Sequence, residues 1–262
     1  MHQLPRGIRS LGKMQGLQRP HLPIWKRTLD ICICCAALPF LAIGTFWVAV
    51  LMSIAAPGPI FFRQERVGHL GRRFRLFKFR TMHVGAETAG HQAHFASLMS
   101  TNAPMQKLDA QGDARLIPGG WLIRASGFDE LPQIINILRG DMSIVGPRPC
   151  IPYEYENFTA FQRRRFQCAP GLTGLWQVSG KNRTTFDRMI QLDIEYAARK
   201  SLLLDLRILA MTLPAIGIQV ADMCRLRRKS ATLSSPTSDS VSPGLSTQDE
   251  QAPSTSLPTR SA

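Results

Sequence analysis

The sequence predicts a mainly helical α+β protein in which a membrane-embedded helical segment is joined to a small domain with a short β-hairpin. Residues 31–56 form a run of 26 residues without a charged side chain, long enough for a membrane helix. Residues 60–80 alternate apolar and basic side chains around two glycines, which predicts the hairpin. Apolar side chains recur with helical spacing over 131–138, and Gly140 ends that pattern.

The residues of the membrane segment are compatible with two topologies. As one straight helix, 31–56 would be about 39 Å long, more than the ~30 Å hydrocarbon core of a bilayer. Pro39 removes a hydrogen-bond donor and divides the run into two parts that are each too short to cross. Because positive charge tends to stay cytoplasmic, basic residues on both flanks oppose a single span. These are Arg6, Arg9, Lys13, Arg19, Lys26 and Arg27 before the run and Arg63, Arg66, Arg72, Arg73 and Arg75 after it. Spanning and re-entrant arrangements both remain open at this point.

Composition indicates an anionic partner but does not select it. The 262 residues carry a net charge of +14, which suits nucleic acid, anionic lipid headgroups or a nucleotide substrate equally well. Three of the six cysteines lie inside the apolar run, where thiols act as small hydrophobes, and the other three are scattered without zinc-ligand spacing. We therefore expect neither a disulfide nor a metal–thiolate site.

Two adjacent acids, Asp129 and Glu130, stand at the start of the predicted helix. Acids in a first turn complement the helix dipole, and Ser126 with Asp129 fits a capping box, so a purely structural role explains them. A chemical role is equally compatible. Consecutive helical side chains point about 100° apart, so one carboxylate can face a reacting phosphorus while the other holds a hard cation. A carboxylate is also a nucleophile toward phosphorus.

Several cations near the acids are candidates for binding phosphate. Arg148 lies between two prolines that stiffen its backbone, and a guanidinium fork suits phosphate oxygens. Arg124 precedes Asp129 by five residues. The charge of the basic 60–80 segment, which includes Lys78 and Arg80, is explained by attraction to membrane headgroups. A surface turn for Arg148 and a simple salt bridge for Arg124 remain the alternatives.

Three segments together resemble a known family. Ser126–Pro149 (SGFDELPQIINILRGDMSIVGPRP), Lys78–Met82 (KFRTM) and Gly171–Gln177 (GLTGLWQ) resemble the motifs of the bacterial sugar transferases known as monotopic phosphoglycosyl transferases. The resemblance covers roughly 25–218. It implies a re-entrant membrane helix and an enzyme that forms polyprenyl-diphosphate sugars.

The resemblance also implies roles for individual residues. Asp129 would be the nucleophile, Glu130 would assist it, and both would hold Mg²⁺. The substrate-binding residues would be Lys78, Arg80, Arg124, Arg148, Gln177, Lys181 and Asn182. The partners would be a nucleoside-diphosphate sugar, with UDP as the expected nucleotide, polyprenyl phosphate and anionic membrane lipids, without nucleic acid. Homo-oligomer formation is compatible with the sequence, which does not determine it.

The expected organisation and function follow from these inferences. We expect a mobile or interfacial lead-in over 1–24, a re-entrant helix–break–helix over 25–59, a catalytic domain on the cytoplasmic face of the bacterial inner membrane over 60–222, and a disordered tail over 229–262. The protein would initiate exopolysaccharide or capsule synthesis by transferring a sugar-1-phosphate through a covalent aspartyl intermediate and releasing UMP. A non-catalytic membrane scaffold or a basic nucleic-acid-binding protein is the alternative.

Overall fold

A computed structural model describes residues 22–83, 89–105, 115–180 and 183–233. The lead-in through residue 21, most of the tail, Lys181 and Asn182 lie outside the described residues. The elements, in chain order, are α1 (Ile24–Ala55), β1 (Phe61–Val67), β2 (Arg73–Phe79), α2 (Ala89–Thr101), α3 (Gly120–Ala125), a 3₁₀ helix (Phe128–Gln133), α4 (Ile134–Leu138), β3 (Ser143–Val145), α5 (Pro152–Asn157), β4 (Gly171–Thr173), α6 (Leu175–Val178), α7 (Phe186–Arg199) and α8 (Leu202–Leu233).

The predicted β-hairpin is confirmed. β1 and β2 pair antiparallel in a register that sets Phe62 opposite Lys78 and Arg66 opposite Phe74. The connection between the strands uses Gly71 with a φ of +81°, a conformation that glycine adopts without steric cost. The mainly helical character is also confirmed, since this hairpin is the larger of two small sheets in the described part of the chain.

A second, parallel pair of strands was not predicted from the sequence. β3 and β4 align Ser143 with Gly171 and Val145 with Thr173. The two backbones approach so closely that a Cβ atom on Gly171 would overlap the backbone nitrogen of Gly146. Three-residue strands are too short to show a periodicity, so no pattern in the sequence predicts them.

One face of α1 packs along the domain from the first turn of the helix to the last. The buried positions recur every three or four residues, which defines a single helical stripe. They are Lys26, Asp30, Cys34, Gly44, Val48 and Met52, with Ala37 and Leu41 partly buried between them. The opposite face is apolar and exposed, and includes Phe40, Phe46 and Trp47. The helix therefore has one face for the domain and one face suited to lipid.

Both ends of α1 contact the same domain. Near the start, Arg27 donates to the carbonyls of Ile137 and Leu138, at 2.6 and 2.7 Å. Asp30 Oδ1 accepts a hydrogen bond from the Ile144 backbone N–H at 2.8 Å. At the other end, Arg80 Nη2 donates to the carbonyl of Ala56 at 2.5 Å.

The helix break expected at Pro39 is not observed. α1 is assigned as one helix of 32 residues with Pro39 inside it. Proline removes one backbone donor and displaces the carbonyl four residues earlier, but the next turns can remain helical when packing supports them. Here Cys34, Leu41 and Gly44 hold both sides of the proline against the domain.

A second apolar helix closes the described chain. α8 continues through Pro214, which lies inside the helix. It extends to Leu233, which includes the first five residues of the segment expected to be a disordered tail. Within the described ranges, two helices are long and apolar enough to cross a membrane by length and composition alone, Ile24–Ile54 and Leu202–Arg225.

Candidate active site

The two acids lie on a short 3₁₀ helix rather than at the start of an α-helix. The 3₁₀ helix Phe128–Gln133 follows Gly127, whose φ of +74° turns the chain, and it leads into α4. The predicted capping box is wrong, because Gly127 is the N-cap and Ser126 Oγ donates instead to the carbonyls of Leu122 and Ile123. Asp129 is buried, with 6% of its surface exposed. The acids are therefore not explained by side-chain capping.

Lys78 connects the hairpin to both acids. Its Nζ lies 3.0 Å from Glu130 Oε1 and 3.8 Å from Asp129 Oδ2. The lysine projects from β2, which contacts the 3₁₀ helix extensively. Lys78 therefore makes a hydrogen bond to Glu130 and a longer ion pair with Asp129, so one ammonium contacts both acids.

Glu130 lines one cleft together with Lys78, Arg66 and Arg148, whereas its neighbour Asp129 is not among the described residues that line it. The residues that line it are Arg66, Leu76, Lys78, Glu130, Gln133, Arg148, Pro149, Gly171, Leu172 and Gln177. The structure thus brings together Lys78, Glu130, Arg148 and Gln177, which the sequence analysis selected from segments up to 99 residues apart.

The backbone of Arg148 is held by a buried ion pair behind the cleft. Arg165 Nη2 donates to the Arg148 carbonyl at 3.1 Å and lies 2.5 Å from Asp193 Oδ2. Both side chains of that pair are almost fully buried. This support leaves the Arg148 side chain directed by a rigid segment, which favours binding a ligand over a flexible surface contact.

Other predicted residues lie elsewhere or outside the description. Arg80 is buried and donates to the carbonyls of Pro59 and Ala56, at the junction between α1 and the hairpin. Arg124 lies on α3, with Nη1 3.4 Å from Thr81 Oγ1. Neither is among the described residues that line the cleft. Lys181 and Asn182 fall outside the described residues. Substrate binding by these four residues stays a prediction.

Arg66 lines the cleft and was missed by the sequence analysis. We counted it only among the basic residues after the apolar run. The alternation of side chains along the hairpin could have placed Arg66 on the same face as Lys78, because side chains of paired strand residues lie on the same face. The observed register puts Phe62, opposite Lys78, and Arg66 four residues further along on one face. The turn residues alone do not predict which residues of the two strands pair, so Arg66 could not be assigned to that face from the sequence.

The donor set of the cleft fits a magnesium ion only if substrate oxygens complete it. No cluster of three or more His, Cys, Asp or Glu side chains suited to a metal occurs in the described chain. Mg²⁺ is commonly held by one or two carboxylates together with substrate phosphates and water. Asp129 and Glu130 are adjacent carboxylates that share the Lys78 ammonium, which matches that mode.

Comparison with known proteins identifies the family. A family model described as bacterial sugar transferase matches residues 22–219. The chain belongs to the bacterial sugar transferase family. The match begins just before α1 and ends within α8, so both long apolar helices lie at least partly in the region shared by the family. Family membership confirms the prediction that the chain is a sugar transferase enzyme.

Curated relatives of this sugar transferase are named as a galactosyl transferase, an exopolysaccharide production protein and a glucose-1-phosphate transferase. Galactosyl transferase CpsE of Streptococcus agalactiae serotype III (strain NEM316) is 40% identical over 205 residues, 78% of this chain and 44% of that protein. Exopolysaccharide production protein ExoY of Sinorhizobium fredii (strain NBRC 101917 / NGR234) is 36% identical over 201 residues, 77% of this chain and 89% of the relative. UDP-glucose:undecaprenyl-phosphate glucose-1-phosphate transferase of Caulobacter vibrioides (strain ATCC 19089 / CIP 103742 / CB 15) is 35% identical over 211 residues, which are 76% of this chain and 72% of that protein.

Proposed function

We propose that this sugar transferase moves a sugar-1-phosphate from a UDP-sugar to polyprenyl phosphate and so initiates an exopolysaccharide or capsule. The observation that carries the proposal is Lys78, whose Nζ bridges Asp129 and Glu130 in a cleft that also contains Arg148. A relative from Caulobacter vibrioides is named for glucose-1-phosphate transfer to undecaprenyl phosphate, which supports the same reaction class here.

The reaction proceeds in two displacements at one phosphorus. A carboxylate oxygen of Asp129 attacks the phosphorus that carries the sugar, and the bond to the bridging oxygen breaks, so UMP leaves with the electron pair. An oxygen of polyprenyl phosphate then attacks the same phosphorus. The bond to Asp129 breaks, the carboxylate is regenerated, and a polyprenyl-diphosphate sugar is formed.

The side chains around Asp129 support this chemistry. Lys78 lies where it can orient the Asp129 carboxylate and offset charge on the transferred phosphoryl group. Arg148 supplies a guanidinium for phosphate oxygens. Mg²⁺ held by Asp129 and Glu130 would reduce the repulsion between an anionic nucleophile and an anionic phosphate.

The membrane arrangement suits a lipid acceptor. We infer that α1 is re-entrant, with both ends on the cytoplasmic face of the inner membrane, because Arg27 and Arg80 bind the two ends of the helix to the same domain. The exposed apolar faces of α1 and α8 then lie at headgroup depth or below, near the phosphate of the lipid acceptor.

Intact-protein mass spectrometry tests the covalent step. The protein is incubated with a panel of UDP-sugars and Mg²⁺ but without polyprenyl phosphate. We expect an adduct of sugar-phosphate mass and an equivalent of UMP in solution for the wild type, and neither for Asp129→Asn. Glu130→Gln is expected to slow adduct formation. Asp187→Asn is the matched control, since Asp187 is an exposed first-turn acid on α7 and should keep the adduct.

The released nucleotide separates this reaction from its alternative. Direct glycosyl transfer would release UDP and leave no phosphosugar on the protein. UDP as the product, or an adduct of unchanged yield in Asp129→Asn, would therefore exclude the aspartyl mechanism.

A further inference from the structure

The cleft contains a buried guanidinium, that of Arg66, whose hydrogen-bond donors are only partly satisfied. Arg66 is only 5% exposed. Its Nη1 donates to the Pro149 carbonyl at 3.3 Å and its Nη2 to Gln64 Oε1 at 2.6 Å. Its Nε is buried and has no hydrogen-bond partner among the described residues, and within them no carboxylate lies at ion-pair distance. A buried donor left unpaired is costly, so a ligand atom is expected to satisfy it.

The electrostatic surroundings of Arg66 favour an anion. Burial lowers the pKa of the Arg66 guanidinium to about 10, and the positive charge of Arg148 acts in the same direction, while the carboxylates of Glu154 and Glu130 act against it. Two cations that face one cleft repel each other, and desolvation strengthens that repulsion. An anionic group placed between them would relieve both effects.

The positions of Arg66 and Lys78 separate two parts of the cleft. Both project from the same face of the hairpin, since Arg66 lies opposite Phe74 and Lys78 lies four residues further along β2. That spacing is about 13 Å along the strand. Lys78 contacts the two acids and therefore marks the end of the cleft where the transferred phosphoryl group reacts. The Arg66 end is available for a second anionic group.

A second unpaired group at the cleft narrows the chemistry of the ligand. Gln177 Oε1 is buried and accepts no hydrogen bond from the described residues. A ligand that satisfies both groups offers a phosphate oxygen to Arg66 and an N–H or O–H donor to Gln177. The nucleotide and the sugar of the donor both carry such groups, whereas a polyprenyl chain has none. Because the transferred sugar-phosphate is assigned to the Lys78 end, the nucleotide is the part of the donor left for the Arg66 end. The pair of unsatisfied atoms therefore favours the nucleotide over the lipid phosphate.

We infer that Arg66, together with Arg148, binds the phosphate of the donor that remains with the nucleoside, so that this end of the cleft is a nucleoside-monophosphate subsite. The inference rests on the proposed phosphosugar transfer. It assigns Arg66 to binding the donor and the leaving UMP, and not to the transferred phosphoryl group or the lipid acceptor.

The test uses Arg66→Lys in the full chain, with Arg73→Gln as the matched control. Lysine keeps the positive charge but loses Nε and the guanidinium fork. Arg73 lies on the same hairpin and its side chain is 54% exposed. Loss of charged hydrogen bonds is expected to raise the inhibition constant of UMP, and the KM of the UDP-sugar, by about tenfold or more. The KM of polyprenyl phosphate should stay within about twofold, and Arg73→Gln should match the wild type in all three.

A second variant, Gln64→Glu, addresses a structural role for Arg66. Gln64 Oε1 already accepts from Arg66, so an isosteric carboxylate forms an ion pair there and neutralises the anion site without removing the arginine. If Arg66 only supports the fold, Gln64→Glu should retain wild-type UMP inhibition. If Arg66 binds phosphate, the thermal unfolding temperature should be kept while UMP inhibition weakens. This variant decides the question if Arg66→Lys does not fold.

Direct UMP binding separates this inference from the proposed reaction. Isothermal titration calorimetry of UMP with the unreacted wild type and variants needs no turnover. Weaker UMP binding in Arg66→Lys or Gln64→Glu supports the subsite even if no lipid product is formed. The absence of a lipid product would refute only the proposed reaction. Wild-type UMP affinity in both variants overturns the subsite. A rise confined to the KM of polyprenyl phosphate also overturns it and would assign Arg66 to the lipid phosphate.

Discussion

Lys26 Nζ lies 2.5 Å from Asp205 Oδ2, where the first turn of α1 meets the first turn of α8. Both side chains are almost completely buried. Lys26 also donates to the Val145 carbonyl and to the Tyr196 hydroxyl, each at 2.9 Å, and Tyr196 donates to Asp205 Oδ1 at 2.7 Å. This network joins the two apolar helices to the domain at one point, so it sets the position of the membrane-facing surface relative to the cleft.

Breaking this ion pair should destabilise the protein strongly. Asp205→Asn leaves the Lys26 ammonium buried without a countercharge, a change that typically costs about 3–5 kcal/mol. We expect a large decrease in the thermal unfolding temperature of the detergent-solubilised protein. The double variant Lys26→Met/Asp205→Leu removes both charges and should recover much of the loss, because buried pairs replaced by apolar residues are often tolerated.

Arg73→Gln provides the comparison for an exposed pair. Arg73 lies 3.4 Å from Glu65 and 3.3 Å from Glu156, with all three side chains more than half exposed. Such pairs contribute about 0–1 kcal/mol, so the unfolding temperature should change little. An Asp205→Asn variant no less stable than Arg73→Gln would contradict a structural role for the buried network.

A contact between α1 and Phe128 connects the membrane helix to Asp129, the proposed nucleophile. A Cβ atom on Gly44 would overlap the Phe128 ring, and Phe128 immediately precedes Asp129. Phe128 stacks on Phe79 with ring centroids 5.9 Å apart, so it has little room to retreat. Gly44→Val should therefore displace the 3₁₀ helix and lower kcat by about tenfold or more, since small misplacements of catalytic groups reduce rates by such factors.

Ala42→Val is the control for this substitution. Ala42 lies on the same helix but is exposed on the face away from the domain. The variant adds the same kind of bulk to the membrane helix without approaching Phe128, and it should retain wild-type kcat. Equal effects of the two substitutions would indicate a general disturbance of α1 rather than displacement of Asp129.

Local motifs were enough to predict the hairpin, but not the contacts that join distant segments. Asp129 and Glu130 share one short motif, and the alternation of 60–80 reports strand structure directly. The partners of Lys26 lie 119 to 179 residues away, so no spacing in the sequence relates them. We interpreted Lys26 as a charge flanking the apolar run, whereas burial in the folded domain gives it a specific partner.

The role of Arg80 shows why a motif does not determine a side chain's contacts. Its place in the KFRTM segment led us to predict substrate binding. The structure directs Arg80 out of the cleft, to the carbonyls of Ala56 and Pro59, while Lys78 on the same strand meets the acids. Positions two apart on a strand normally share a face, but Arg80 follows the last residue of β2, where the chain leaves the strand.

Substitution of Arg148 should distinguish a guanidinium fork from a general positive charge. A fork makes two directed hydrogen bonds to phosphate oxygens, whereas lysine is a point charge. We expect Arg148→Lys to lose nearly as much kcat/KM for the UDP-sugar as Arg148→Ala, about tenfold or more for each. Steady-state kinetics with purified protein provides the measurement. Near wild-type kcat/KM in Arg148→Lys would mean that charge alone is used.

The last prediction concerns the topology of α1. If the helix is re-entrant, single cysteines placed at Arg19 and Arg73, in a background without native cysteines, should react with an impermeant thiol reagent from the same side of the membrane. Labelling of inside-out and right-side-out vesicles gives the assignment. Reaction from opposite sides would show a spanning helix and contradict the re-entrant proposal.

Pro39→Leu should shift that topology toward spanning. The substitution restores the missing backbone donor within an uncharged run that is long enough to cross the bilayer. Two forces oppose the shift, namely the basic residues on both flanks and the buried stripe that holds α1 to the domain. Ala36→Leu, at an exposed position on the same helix, adds similar apolar bulk while leaving the proline in place, and it should keep wild-type labelling. We therefore expect Pro39→Leu to give a mixed population, in which opposite-side labelling rises as activity falls. Unchanged labelling in both variants would show that packing on the domain, not the proline, determines the topology.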